Sequence, residues 1–301
     1  MGAMRERRTG TRLTMALGLV MLLAISTLVS NVAAVQGRAR STVVFSGYTW
    51  DVKSPRWLMG PGPNLWSDDT SNVRVDESGA LRLALTREGG EWYCAEVSLQ
   101  RSLGYGRYVF TVSSRVDLLE PGVMGALFVY EDDAHEIDIE FTGAGEAQYV
   151  VQPHYERGNL RGFDLGLEGD FTTHVIDWSP DRIVFSSYHG HYLNDPEEGR
   201  LIARWTYTGD DIPRAGEERL HINLWLRDGA APSGPEEMVV SGFQFIPHED
   251  GLQGTSIPED HPLDEPVPNT PEAGGGRGGG SQRGGNSRGR RRRTSQSPRV
   301  D

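Results

Sequence analysis

Along the middle of this chain, apolar residues recur at every second position. Leu81, Leu83 and Leu85 alternate with other residues over 80–86, and Tyr108, Phe110 and Val112 do the same over 107–116. A period of two places one set of side chains on each face of a pleated strand, so these segments are expected to be half-buried strands. Further strands are expected over 126–130, 135–141, 148–152, 173–178, 182–188, 219–226 and 237–246, with Gly, Pro, Asn and Asp between them. A stripe of period 3.6 hardly occurs. About ten strands without a recurring helix predict two packed antiparallel sheets, an all-β sandwich or jelly roll, and disfavour an alternating βα fold.

The ends of the 301-residue chain have a different character. Residues 1–34 combine a positive start (Arg5, Arg7, Arg8, Arg12), an apolar run of 17 residues from Leu13 to Val29 and the small-residue site Val32-Ala33-Ala34, the layout of a signal peptide. An uncleaved membrane anchor is the competing reading of the same run. The expected location is therefore secreted, extracellular or periplasmic, with a membrane-anchored form as the alternative. Residues 35–42 read as a short linker and 43–250 as the folded domain. Residues 251–273 form a Pro/acid-rich linker, and 274–301 a Gly/Arg-rich tail with Arg290 to Arg293 in succession. Such a tail suits contact with an anionic surface or polymer.

Charge sharpens this division. The formal net charge is -12, yet both ends are cationic, so residues 41–273 hold 40 acids against 16 bases. A core so negative repels phosphates, so a nucleic-acid-binding core is disfavoured and no nucleic acid is expected as its partner. Lys53 is the only lysine and Cys94 the only cysteine. An internal disulfide is therefore impossible, and Cys94 is expected to be a small buried hydrophobe. A monomer is expected.

Residues 135–141 read His-Glu-Ile-Asp-Ile-Glu-Phe, which puts Glu136, Asp138 and Glu140 on one strand face and Ile137, Ile139 and Phe141 on the other. Three like charges in a row are costly, which points to binding or catalysis. A rise of about 3.3 Å per residue separates the Cα atoms of Glu136 and Glu140 by about 13 Å, and inward-leaning side chains bring their carboxyls to about 5–6 Å. A retaining glycosidase needs about 5–5.5 Å between its nucleophile and its acid/base. Asp138 between them would keep one neighbour protonated or share its proton. The other readings of this strand are a solvated edge that discourages aggregation and part of a calcium site. A Gly-x-Ser-x-Gly elbow and a His-Glu-x-x-His pair are both absent from the sequence.

The segment 136–141 resembles the signature of glycoside hydrolase family 16, which includes lichenases, laminarinases and xyloglucan endotransglycosylases. Gly60-Pro61-Gly62-Pro63-Asn64, Gly104-Tyr105-Gly106, Asp177-Trp178-Ser179-Pro180 and Asn223-Leu224-Trp225 resemble further family motifs in the same order. The resemblance implies a concanavalin-A-like β-jelly roll with a cleft across its concave sheet. It implies Glu136 as nucleophile, Asp138 as helper and Glu140 as acid/base, with Asn64, Glu96 and Trp225 as substrate-binding residues. For Glu96 the alternative is an ordinary surface acid, and for Trp225 it is core packing. Trp178 reads as core, and His135 belongs to the opposite face from the acids. Ala134, Pro153-His154 and Ser187-Tyr188-His189-Gly190 depart from the lichenase pattern, so that family's substrate specificities do not carry over. The expected activity is endo-acting retaining hydrolysis of a polysaccharide, a β-1,3- or mixed-linkage glucan first. A transglycosylase and a non-catalytic carbohydrate-binding sandwich are the alternatives. No cofactor is required by this chemistry, and structural calcium is an open expectation. The acidic surface further suggests adaptation to high ionic strength.

Overall fold

In the computed structural model, residues 40–248 are described, apart from Arg56 and residues 155–157. The expected signal peptide or anchor, most of the first linker, and the Pro/acid-rich and Gly/Arg-rich segments lie outside the described residues. The described part folds into two antiparallel sheets. The larger runs, in spatial order, Thr42–Phe45 (β1), Tyr48–Val52 (β2), Glu91–Leu99 (β7), Arg219–Leu226 (β16), Val123–Asp132 (β9), His135–Gly143 (β10), Glu146–Val151 (β11) and Leu160–Asp164 (β12). Two short strands, Leu65–Trp66 (β3) and Thr86–Glu88 (β6), also pair with β7, the first of them in parallel. The second sheet runs Leu201–Tyr207 (β15), Ile183–His189 (β14), Phe171–Trp178 (β13), Gly106–Ser113 (β8), Glu237–Pro247 (β17), Leu81–Ala84 (β5) and Val73–Val75 (β4). The jelly-roll sandwich expected from the apolar pattern is the architecture found.

The core lies between the sheets and follows from the alternation. Ile137, Ile139 and Phe141 of β10 turn inward beside Leu127 and Val129 of β9 and Ile222 and Leu224 of β16. From the other sheet Leu83, Tyr108, Phe110, Ile176, Trp178 and Phe185 close the layer. Trp178 is fully buried, as expected, and its indole N–H donates to the Pro213 carbonyl at 3.2 Å. Cys94 is buried and free. With every second residue of β10 fixed inward, its acids are committed to the outer face.

The expected strand over 80–86 divides into two elements. Leu81–Ala84 joins the second sheet, whereas Thr86 begins β6 in the first. Buried Leu85 sits at the crossing between the layers, so the leucine alternation continues while the pairing partner changes.

Candidate active site

The register of the larger sheet assembles the outer-face residues into rows. One row crosses Glu96 on β7, Asn223 on β16, Ala126 on β9, Glu140 on β10 and Gln148 on β11. The next crosses Ser98, His221, Phe128, Asp138 and Val150, and a third joins Arg219, Tyr130 and Glu136. Glu136, Asp138 and Glu140 are thus neighbours on one face, at the centre of the sheet and not at its edge. A solvated edge strand is the wrong description, since β9 and β11 flank β10 on both sides.

Burial and partners give the three acids different states. Asp138 is only 4 % exposed, and its Oδ2 is buried without a hydrogen-bond partner. Burial, followed by the charges of Glu136 and Glu140, raises its pKa far above the ordinary carboxylate value. Burial also raises Glu136, to about 7, while a hydrogen bond from Asp138 and another from Gln152 act to lower it. Of the two, Asp138 is enclosed more fully and holds its proton more tightly, so its O–H donates to Glu136. Glu140 is raised by burial as well, against a hydrogen bond donated by Gln148 Nε2 and the positive charge of Arg227. One face therefore offers three carboxyl groups that burial biases toward their protonated forms, with Asp138 the most fully enclosed and hydrogen-bonded to Glu136.

The other expected site residues are placed as follows. Glu96 is 4 % exposed, which rules out an ordinary surface acid. It meets Lys53 Nζ at 3.0 Å, His221 Nδ1 at 3.2 Å and Asn223 Nδ2 at 3.3 Å. Burial pushes its pKa up, but the His221 hydrogen bond and the Lys53 charge outweigh that and hold it below the ordinary value. Asn64 is buried, and its amide donates to the Pro61 carbonyl at 2.8 Å and the Leu226 carbonyl at 2.9 Å. One N–H therefore closes the loop before β3 on itself, and the other ties that loop to the end of β16. Trp225 is half-buried, packed against the core and beside Gly62 of that loop. His135 is exposed in the β9–β10 hairpin, where Nδ1 lies 2.7 Å from Asp132 Oδ1.

Sequence reasoning missed Lys53, Phe128, Tyr130, Gln148, Gln152 and His221. The signal for His221 was present, because residues 219–226 alternate Arg, His, Asn and Trp with Leu, Ile, Leu and Leu as strictly as β10 does. Lys53 was marked only by its being unique.

The model of the glycosyl hydrolases family 16 matches residues 64–234, more than half of the chain. The chain belongs to glycosyl hydrolases family 16. Among solved structures, this family 16 chain resembles a β-glucanase of Bacillus licheniformis, with 19 % identity over 71 % of this chain and 100 % of that one and a TM-score of 0.53. It also resembles a β-1,3-glucanase of Mycobacterium marinum, with 19 % identity over 65 % and 90 % and a TM-score of 0.50. A third likeness is to an immunostimulatory antigen and pseudo β-1,3-glucanase of Mycobacterium tuberculosis, with 21 % identity over 66 % and 91 % and a TM-score of 0.50. At these identities the likeness is one of fold. A curated relative, Crh-like protein 4 of Botryotinia fuckeliana, is 28 % identical over 72 residues, and the match spans 22 % of this chain and 19 % of that protein, about a fifth of its length.

Proposed function

We propose that this family 16 chain is an exported, endo-acting retaining β-glycosidase that hydrolyses a β-1,3- or mixed β-1,3-1,4-linked glucan by double displacement. The observation that carries this reading is the array on β10, where Glu136 and Glu140 flank a buried Asp138 on one sheet face, its pKa raised by burial and by both their charges. In the first step Glu140 gives its proton to the glycosidic oxygen as the Glu136 carboxylate attacks the anomeric carbon, so the C–O bond to the leaving sugar breaks as the ester to Glu136 forms. In the second, Glu140 takes a proton from water, whose oxygen displaces Glu136 from the same carbon. Asp138 assists by donating to Glu136, which keeps the nucleophile oriented and the leaving carboxylate stabilised when the ester opens. No cofactor enters these steps. A sugar hydroxyl replacing the water would give transglycosylation with the same residues.

Glu136→Gln is expected to abolish turnover on a panel of soluble glucans while leaving the circular dichroism spectrum and melting curve of a folded protein. A covalent mechanism-based inhibitor should label Glu136 in the parent chain. Because the fold is shared with a pseudo-glucanase, a non-catalytic carbohydrate-binding sandwich is the rival reading. Failure of the parent chain to release reducing ends from any glucan of the panel would favour that rival and end the glycosidase proposal. Product mapping on the same panel identifies linkage, endo action and transfer.

A further inference from the structure

The buried cluster beside the acids has an internal logic that the double-displacement chemistry does not use. Lys53 Nζ donates to the Gly60 carbonyl at 2.6 Å, lies 3.0 Å from Glu96 Oε2 and sits 4.0 Å above the Trp66 ring. It therefore joins the loop before β3 to β7 and neutralises Glu96 at once. An ionised carboxylate only accepts, so the 3.2 Å contact from Glu96 Oε1 requires the hydrogen to be on Nδ1 of His221. In the neutral ring Nε2 is then a bare acceptor. The ring is held sideways as well, stacked on Phe128 at 5.0 Å with its planes 28° apart, and met edge-on by Tyr130 at 5.8 Å. Phe128 is the residue opposite Asp138, so only one strand separates the imidazole from the acid row. The His221 side chain keeps 16 % of its surface exposed and stands in the same row as Asp138, on the face that carries the acids.

We propose that His221 contacts the substrate, with its bare Nε2 accepting a hydroxyl hydrogen from a neutral glycosyl unit next to the cleaved bond, and that Glu96 and Lys53 are positioning residues that fix this tautomer. The proposal rests on the glycanase reading above for its substrate. It also reassigns Glu96. With its carboxylate surrounded by three donors and its side chain 6 % exposed, Glu96 acts on the sugar through His221. An anionic substituent in place of that hydroxyl would be opposed both by the Nε2 lone pair and by the Glu96 charge behind it.

Three readouts test the proposal on the whole chain. His221→Ala should raise KM for glucan oligosaccharides about tenfold, the worth of one hydrogen bond of ~1.4 kcal/mol, with kcat within about threefold. His221→Gln, which can offer an amide oxygen at the same place, should recover most of that loss. Nitrogen-15 spectra of the imidazole should show Nδ1–H in the parent, and loss of that state in Glu96→Gln and in Lys53→Met. An unchanged KM in His221→Ala, or Nε2–H in the parent spectrum, overturns the proposal. If the parent hydrolyses no glucan, the glycanase reading falls separately. Calorimetric binding of the same oligosaccharides to parent and His221→Ala then decides this one, with weaker binding supporting it and equal or absent binding overturning it.

Discussion

The proton shared by Glu136 and Asp138 ties the chemistry to stability at the level of single residues. Both pKa values are raised by folding, so each group contributes stability that is fully present below the ordinary carboxylate value and is lost as pH rises through the folded value, which is about 7 for Glu136. Acids held low, such as Asp76 and Glu96, lose their contribution only as pH falls below the ordinary range. The parent profile is not a clean reading of the triad, because buried His174, lowered to about 3, opposes folding as pH drops through the unfolded histidine value near 6.5. Comparing variant with parent removes that background. Asp138→Asn keeps a donor toward Glu136 and abolishes one titration, so its melting temperature relative to the parent should rise by about 3–8 °C between pH 5 and pH 8. Its kcat should fall. A difference in melting temperature that stays constant across pH 5–8 would show that Asp138 is not the group holding the proton.

At the scale of elements, the loop before β3 depends on Asn64. Its two amide hydrogens bond carbonyls of residues 61 and 226, across 162 positions of sequence in the second case. Asn64→Ala leaves those carbonyls unpaired, which should lower stability by about 1–3 kcal/mol and open the loop at 57–63 to limited proteolysis. A denaturation midpoint equal to the parent's would show that Lys53 and Trp66, which bond Gly60 and Met59, hold the loop without it. The same region shows where the elements are readable. β10 and β16 announce themselves because one face meets the core and the other carries polar work, so the alternation is strict in both. β7 was missed for the opposite reason. Cys94, Ala95, Glu96 and Val97 are all buried, and on the outer face Lys53, His221 and Asn223 close over Glu96; with both faces enclosed, the period of two disappears. The edge and short strands β1, β3, β4 and β12 offer two to five residues each, too few for a pattern. Glu136, Asp138 and Glu140 were legible from one strand, whereas the Lys53–Glu96–His221 cluster draws on three separate segments and needed the register to bring it together.

For the whole molecule, the charge excess sets an expectation about solvent. The few bases among the described residues are mostly committed to close partners. Arg74 and Arg82 share Glu237, and Arg82 also meets Asp76 at 2.6 Å. Arg107 and Arg204 converge on Asp195, and Lys53 is spent on Glu96. Residues 41–273 hold 40 acids against 16 bases, and the acids that exceed the bases repel one another without a partner of opposite charge for each. Added salt acts unequally on these two sets. Close contacts at 2.6–3.0 Å, partly shielded by protein, are screened little, whereas repulsions spread over the surface act at distances comparable to the Debye length, which shrinks from about 10 Å at 0.1 M to about 3 Å at 1 M. The loss of repulsion therefore outweighs the loss of attraction, and the net effect of salt is stabilising. The melting temperature of the full chain should rise between 0.1 and 1 M sodium chloride by about 2–8 °C, corresponding to about one or two kcal/mol. Potassium acetate at matched ionic strength should act similarly, since screening depends on charge and not on the identity of the ion. A melting temperature that is highest in dilute buffer and falls toward molar salt would mean that the ion pairs outweigh the repulsion, and the proposed adaptation to high ionic strength would be wrong, with the roles of Glu136, Asp138 and Glu140 untouched by that outcome.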